Sequence, residues 1–256
     1  MEPPYLCTAD LAIMNPKLSV NVNKVATLRN ARGGNNPDVI KVALDCEMFG
    51  ADGITVHPRP DERHIRYDDV RKLSEVVTTE FNIEGYPSAS FLKLAEEVKP
   101  AQVTLVPDPP DVLTSNNGWD TKEYFKLLQE VVARLKSGGM RVSLFLNPDP
   151  AMVEHAAMCG ADRIELYTEQ YAVLFSQNPE EAIKPYVQTA NVALQAGLGI
   201  NAGHDLDLKN LHYLRSNLPG LLEVSIGHAL ICDALYYGLR DTVRMYKNHL
   251  LPDMTL

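Results

Sequence analysis

From residue 18 onward, hydrophobic and polar positions fall into two alternating rhythms. Short runs with the period of two that marks a strand occupy 18–22, 53–57, 82–86, 102–106, 141–146, 163–167, 199–203 and 223–226. Longer stretches with helical spacing lie between and after them, at 37–49, 67–79, 88–98, 121–136, 150–159, 179–196, 206–216 and 229–247. Ser88 is placed to cap the third of these, and glycines at 138–139, 160 and 197 to end the fourth, fifth and sixth. Eight strand–helix units in 256 residues predict an α/β fold, a single (βα)8 TIM barrel with little inserted. Residues 1–17 carry prolines and no period, and read as a loosely held N-terminal extension; 18–256 form the barrel domain.

The strands have one apolar and one polar face. Val20 and Val22, Ile54 and Val56, Val142 and Leu144, Ile164 and Leu166, and Val224 and Ile226 share the first face. The second carries Asn21, Asn23, Thr55, His57, Asn82, Glu84, Thr104, Ser143, Arg163, Glu165, Asn201 and Ser225. If the apolar set meets the helices, the polar set points into the barrel, where unsatisfied groups are costly unless bonded or used. Some of them must form a structural hydrogen-bond network; all of them doing only that is not expected.

The stretch 51–64, ADGITVHPRPDERH, is the sharpest instance. A short strand ends at Pro58 and Pro60, which stop further pairing, and two imidazoles and two guanidiniums follow within a few residues (His57, Arg59, Arg63, His64). The ends of barrel strands are where chemistry collects. His57, Glu84 and His204, all at strand ends, are candidate proton carriers, because imidazoles and partly buried carboxyls are readily tuned to neutral pH. Glu165 is placed to stabilise a cationic intermediate. Phosphate sites are expected at Asn201–His204 and at Gly227-His228, where strands seven and eight end, the latter running straight into a helix. The segment 27–34, TLRNARGG, reads as a glycine-loosened loop offering Arg29 and Arg32 to a phosphate, with Arg59, Arg63 and His64 as a second anion cluster. The residues 116–120 before the fourth helix read as a longer loop able to cover the mouth.

Composition narrows the class. Hydrophobic residues make up 45% and the net charge is −9, which speaks against disorder and against a general nucleic-acid or anionic-membrane binder. The four cysteines are scattered with no CxxC pair, as in a cytoplasmic protein with reduced thiols. No element shows metal-ligand spacing, so no metal is expected.

Six segments in order, NVNKVATLRNARGG (21–34), ADGITVHPRPDERHI (51–65), FNIEGY (81–86), RIELYTEQYA (163–172), INAGHDL (200–206) and SIGHALI (225–231), strongly resemble the pyridoxine 5′-phosphate synthase family. The resemblance implies a homo-octameric, transferase-class barrel enzyme of vitamin B6 biosynthesis that uses no metal or organic cofactor. Its reaction condenses 1-deoxy-D-xylulose 5-phosphate with 3-amino-2-oxopropyl phosphate to pyridoxine 5′-phosphate, phosphate and water. By that resemblance His57 and Glu84 match proton acceptors, His204 a proton donor and Glu165 a transition-state stabiliser. Asn21, Arg32 and Gly227-His228 match contacts to the amino-oxopropyl phosphate, and Arg59, His64 and Thr114 contacts to the deoxyxylulose phosphate. The chain departs from the family's commonest pattern at Asn23-Lys24 (usually Asp-His), at Asp205 (usually Gly) and at Glu169-Gln170 (usually Gly-Cys). Asn23, Lys24 and Asp205 are kept as substrate-contact candidates. By strand parity Lys24 would be buried beneath helices, which an unpaired ammonium resists; the chain is therefore expected to leave the strand by Asn23 and put Lys24 at the mouth. Two other functions remain open on residues alone: a barrel isomerase or aldolase with a Lys24 Schiff base, and a non-catalytic binder of a B6 phosphate.

Overall fold

The computed structural model describes residues 15–107 and 117–252. Eight parallel strands close on themselves in chain order: β1 (Lys17–Asn21), β2 (Gly53–Val56), β3 (Glu80–Gly85), β4 (Gln102–Leu105), β5 (Arg141–Leu146), β6 (Arg163–Tyr167), β7 (Gly199–Gly203) and β8 (Leu221–Ile226). The expected barrel is present, and the last pairing, of β1 with β8, sets Ser19 beside Ser225. Around it lie α1 (Asn23–Asn30), α2 (Val39–Met48), α3 (Tyr67–Val76), α4 (Ala89–Val98), α5 (Phe125–Ser137), α6 (Pro150–Met158), α7 (Glu169–Phe175), α8 (Pro179–Gln195), α9 (Leu211–Asn217), α10 (His228–Tyr237) and α11 (Leu239–His249).

The two strand faces do what their composition requires. Val20, Ile54, Val56, Val142, Leu144, Leu146, Ile164, Leu166, Val224 and Ile226 are fully buried in the main core between barrel and helices. Each such side chain contributes about 1.5–3 kcal/mol by leaving water. Inside the barrel the polar set forms a chain of bonds. Ser19 and Thr55 hydroxyls meet at 2.7 Å, Asn82 donates to Thr55 Oγ1 at 3.2 Å, and Thr104 donates to Asn82 Oδ1 at 3.1 Å. Towards the N-terminal ends of the strands, Arg163 bonds both Asn201 and Glu223 at 3.1 Å, and Arg141 pairs with Glu80. The structural network held open by the sequence is therefore real, and it occupies the lower part of the barrel.

Helix boundaries follow local chemistry. Ser88 Oγ accepts from Phe91 N at the start of α4, as expected, while Asp38 and Asp149 cap α2 and α6. Three expectations need correction. Residues 23–30 are a helix, α1, not part of a mobile loop, and Arg29 is fully buried: its guanidinium grips Asp69 at 2.6 and 2.8 Å and donates to His64 O at 3.1 Å. Residues 169–175 also form a helix, α7. The last expected helix is two, α10 and α11, parted at Gly238, whose φ of +78° interrupts the helical path. Residues 1–14 of the extension lie outside the described residues, and Lys17 already belongs to β1. The end of the loop before α5 is anchored: Trp119 is buried and donates from Nε1 to Leu105 O at 2.9 Å. Cys46 and Cys159 are buried free thiols, pushed up by that burial to about 12 and about 11. Among the described residues no helix is long and apolar enough to cross a membrane.

Candidate active site

A cavity of about 680 Å³ opens at the C-terminal ends of the strands. Asn21, from β1, and Asn23 and Lys24, from the first turn of α1, line one side of it. Asn21 Oδ1 accepts from Asn23 N at 3.0 Å, and Asn23 Oδ1 accepts from His57 N at 2.9 Å. These two amides turn the chain sharply out of β1 and tie it to the end of β2. Lys24 is consequently exposed at the rim, as its cost of burial required.

His57, Arg59, Arg63 and His64 enter from the loop after β2. Arg29 and Asn30, at the end of α1, brace that loop by donating to the His64 carbonyl at 3.1 and 2.9 Å. His64 Nδ1 accepts from Ile65 N at 2.9 Å, which leaves its proton on Nε2 in the neutral ring. Burial first, then the repulsion of a protonated His57 by a protonated His64, and the charges of Arg59 and Arg63, lower His57 to about 3. Burial, Arg59 and Lys24 lower His64 to about 4. Both rings are neutral at ordinary pH, and 6.3 Å separates their centroids.

The far wall holds the carboxyls. Glu84 (β3) accepts from Asn21 Nδ2 and from Ser225 Oγ, each at 3.4 Å. Burial raises it to about 7, opposed by the Ser225 bond and aided by the charge of Glu223. Glu165 (β6) is buried and raised well above the usual carboxyl range, by desolvation first and the neighbouring Glu84 second. Gly203 is what makes room for it: a Cβ there would sit 2.4 Å from Glu165 Oε1. Gly227 serves the same end beside β1, where a Cβ would meet Asn21 at 3.0 Å. His204 follows β7 with φ +98°, and its Nδ1 lies 2.6 Å from Asp205 Oδ2. His228 opens α10 at the rim beside Gly227.

Thirteen sequence-predicted residues thus line one cavity: Asn21, Asn23, Lys24, His57, Arg59, Arg63, His64, Glu84, Glu165, His204, Asp205, Gly227 and His228. Arg32 is not among the lining residues; it is exposed in the turn beyond α1, because the helix carries it past the mouth. Thr114 lies outside the described residues. The sequence reading missed an apolar patch of Val106, Phe145 and Tyr167, of which Val106 and Phe145 line the cavity. Parity could have found it, since each lies two residues beyond an inward polar position (Thr104, Ser143, Glu165). Among the described residues no group of three or more His, Cys, Asp or Glu side chains is arranged to hold a metal ion.

A closed parallel barrel with titratable side chains and a basic rim at its C-terminal face is the architecture of a (βα)8-barrel enzyme. Residues 18–251 match the family of the pyridoxal phosphate biosynthesis protein PdxJ, and the chain belongs to that family. The pyridoxine 5′-phosphate synthase of Cytophaga hutchinsonii is 63% identical over 234 residues, covering 91% of this chain and 98% of the relative. That of Phocaeicola vulgatus is 62% identical over 232 residues, again covering 91% and 98%. A solved monomeric form of the Thermotoga maritima phosphoribosylanthranilate isomerase superposes with a TM-score of 0.56 at 14% identity, covering 92% of this chain and 98% of that one, a likeness of fold.

Proposed function

We infer that this chain is an enzyme of vitamin B6 biosynthesis that makes pyridoxine 5′-phosphate from 1-deoxy-D-xylulose 5-phosphate and 3-amino-2-oxopropyl phosphate, releasing phosphate and water. The observation that carries the inference is the gathering of His57, Glu84, Glu165 and His204 around one cavity with Arg59, Arg63 and Lys24 on its wall and rim, in a chain of the PdxJ family. Attack of an amine on a ketone, dehydration, phosphate loss and ring closure each move a proton. In the proposed division of work, Glu84, poised at about 7, and the neutral ring of His57 accept protons, and His204 donates. Glu165, whose carboxyl burial raises well above the usual range, is favoured in its charged form when a cationic intermediate forms beside it, because a nearby positive charge favours the ionised carboxylate. The proposed phosphate contacts are Arg59, His64 and Lys24 on one side, and Asn21, the Gly227-His228 helix start and Arg32 on the other. Arg32 needs a movement of the α1–α2 turn to reach them, and Thr114 completes the first set.

The aldolase-type alternative requires a desolvated lysine amine, whereas Lys24 lines the cavity from its exposed rim. The proposed homo-octamer finds support in exposed Leu235, Tyr236 and Tyr237 on α10 and Met48 on α2, surfaces suited to a second copy; light scattering on purified protein tests it. The acidic chain, whose Cys46, Cys159 and Cys232 are free thiols, fits a cytoplasmic setting. The decisive experiment mixes purified protein with both substrates and follows pyridoxine 5′-phosphate. Product at catalytic rates is expected; none from folded protein that binds both substrates overturns the function.

A further inference from the structure

We propose that Asp205 is a positioning residue for His204: its carboxylate holds the Nδ1 proton and so makes Nε2 the nitrogen that exchanges protons with the substrates. The proposal rests on the reading of His204 as the proton donor. A carboxylate oxygen accepts hydrogen bonds and does not donate them, so the 2.6 Å contact between His204 Nδ1 and Asp205 Oδ2 places the hydrogen on Nδ1. Nε2 is then the ring nitrogen left to serve the cavity that His204 lines.

The surroundings show that this pair is held in place. His204 sits at φ +98°, a region that side-chain-bearing residues rarely adopt, and bonds on both sides keep it there. Thr168 Oγ1 donates to Gly203 O at 2.7 Å and accepts from Asp205 N at 3.2 Å; Asn210 Nδ2 donates to Asp205 O at 3.1 Å. The ring itself meets Tyr167 edge to face, with centroids 5.1 Å apart at 89°, and Tyr167 is fixed in turn by its hydroxyl donating to Glu169 Oε2 at 2.8 Å. The imidazole is thus bounded by Asp205 on one edge and by an aromatic wall on another. Asp205 is ill suited to contact a phosphate through its side chain, since two acceptor-only anions repel. Orienting the imidazole is the task its chemistry fits, the arrangement by which a carboxylate fixes a catalytic histidine in other enzymes.

The test uses intact protein with nitrogen-15 labelled histidine in mildly alkaline buffer, with His204 assigned by the signal lost in His204→Asn. Ring nitrogen shifts should show the Nδ1–H form in the parent and a swing towards Nε2–H in Asp205→Ala. Asp205→Asn, which keeps the shape of the side chain, guards against a folding failure. Both variants should lose roughly ten- to a hundredfold in kcat with KM for either substrate changed less than about twofold, because the donor is misoriented and the binding groups are untouched. An Nε2–H form in the parent, or unchanged kcat and unchanged tautomer in both variants, overturns the proposal. Full turnover by His204→Asn would instead overturn the role of His204 in the reaction, while the tautomer measurement would still decide what Asp205 does to the ring.

Discussion

At the floor of the barrel Arg163 bonds Glu223 at 3.1 Å and Arg141 pairs with Glu80, while at the mouth Glu84 is bonded to the neutral groups of Asn21 and Ser225 and has a second carboxyl, Glu165, as its neighbour. The same strands supply both ends: β3 carries Glu80 and Glu84, β6 carries Arg163 and Glu165. Opposite charges meet at the floor, and each satisfies part of what burial took from the other. Carboxyls without a cationic partner meet at the mouth, so burial and the repulsion between ionised carboxylates act in one direction and raise both. The floor closes the barrel, and the mouth holds the groups proposed to move protons, a separation of stability from chemistry that barrels of this kind show at their two faces.

The largest contrast should come from Glu84→Gln, which replaces a proton acceptor by a group that cannot titrate. Turnover should fall roughly 10²–10⁴-fold, as for loss of a general base, with little change in thermal stability at acid pH. The pH dependence has a definite sign. Glu84 is raised to about 7 in the folded protein against an ordinary value of 4.5, so the folded state binds the extra proton in that window. Its contribution to stability is present below 4.5 and is lost as pH rises through about 7. His57 runs the other way: lowered from 6.5 to about 3, it contributes fully above 6.5 and loses that contribution as pH falls towards 3. Unfolding titrations of parent and Glu84→Gln should therefore converge at low pH and separate above neutrality, with the variant the more stable. Parallel curves would sink this account of Glu84.

At the floor the expected result is reversed. Arg163→Met takes away the guanidinium that Glu223 bonds and leaves that carboxyl buried, and should cost roughly 3–5 kcal/mol in denaturant unfolding. Turnover per folded molecule should stay within a fewfold of the parent. A large kcat loss without a stability loss would mean that the two ends are not separated as described.

This division explains how much could be read in advance. The barrel was legible because eight period-two runs alternate with eight helical ones, and because Val20, Ile54 and Leu144 sit out of phase with Ser19, Thr55 and Ser143. The mouth was legible in its residue types and in their place at strand ends. What failed was local. The helix α1, NKVATLRN, has two apolar positions besides alanine and no side-chain cap, and its Arg29 reads as a free cation until Asp69, forty residues away, closes on it at 2.6 Å. Arg32 misled for the same reason, since a loop would have brought it to the mouth and a helix carries it past. The seven-residue α7 was too short for its period to stand out, and α10 and α11 share one hydrophobic rhythm that only the backbone of Gly238 divides. Short helices and long-range ion pairs are tertiary facts, and local pattern carries little of them.

A smaller effect is expected at Lys24, which the turn through Asn21 and Asn23 places on the cavity rim. A charge-assisted contact is worth about 1.5–3 kcal/mol, so Lys24→Ala should weaken deoxyxylulose phosphate binding by roughly ten- to a hundredfold and leave the amino-oxopropyl phosphate nearly unchanged. Two titrations on the variant check it. Equal losses for both substrates, or none for either, would remove Lys24 from the site.

The smallest expected effect probes how completely the two ends are separated. Glu223 belongs to the floor, yet its charge contributes to the raised value of Glu84, after burial and against the bond from Ser225. Glu223 is itself raised by burial, which outweighs the opposing charge of Arg163. Replacing it in Glu223→Gln removes a negative charge and leaves Arg163 positive; both changes favour the ionised form of Glu84 and act in the same direction. The acid limb of the pH–rate profile, which reports the proposed acceptor losing its proton near about 7, should then move to lower pH by a few tenths of a unit, within the range that a screened charge weaker in its effect than burial and the Ser225 bond can supply. The variant is destabilised by the broken pair, so the profile is taken at a temperature where unfolding is absent. A shift to higher pH would mean that the limb belongs to another group. No shift at all would mean that the floor is electrically silent at the mouth, and that burial alone sets the poise of Glu84.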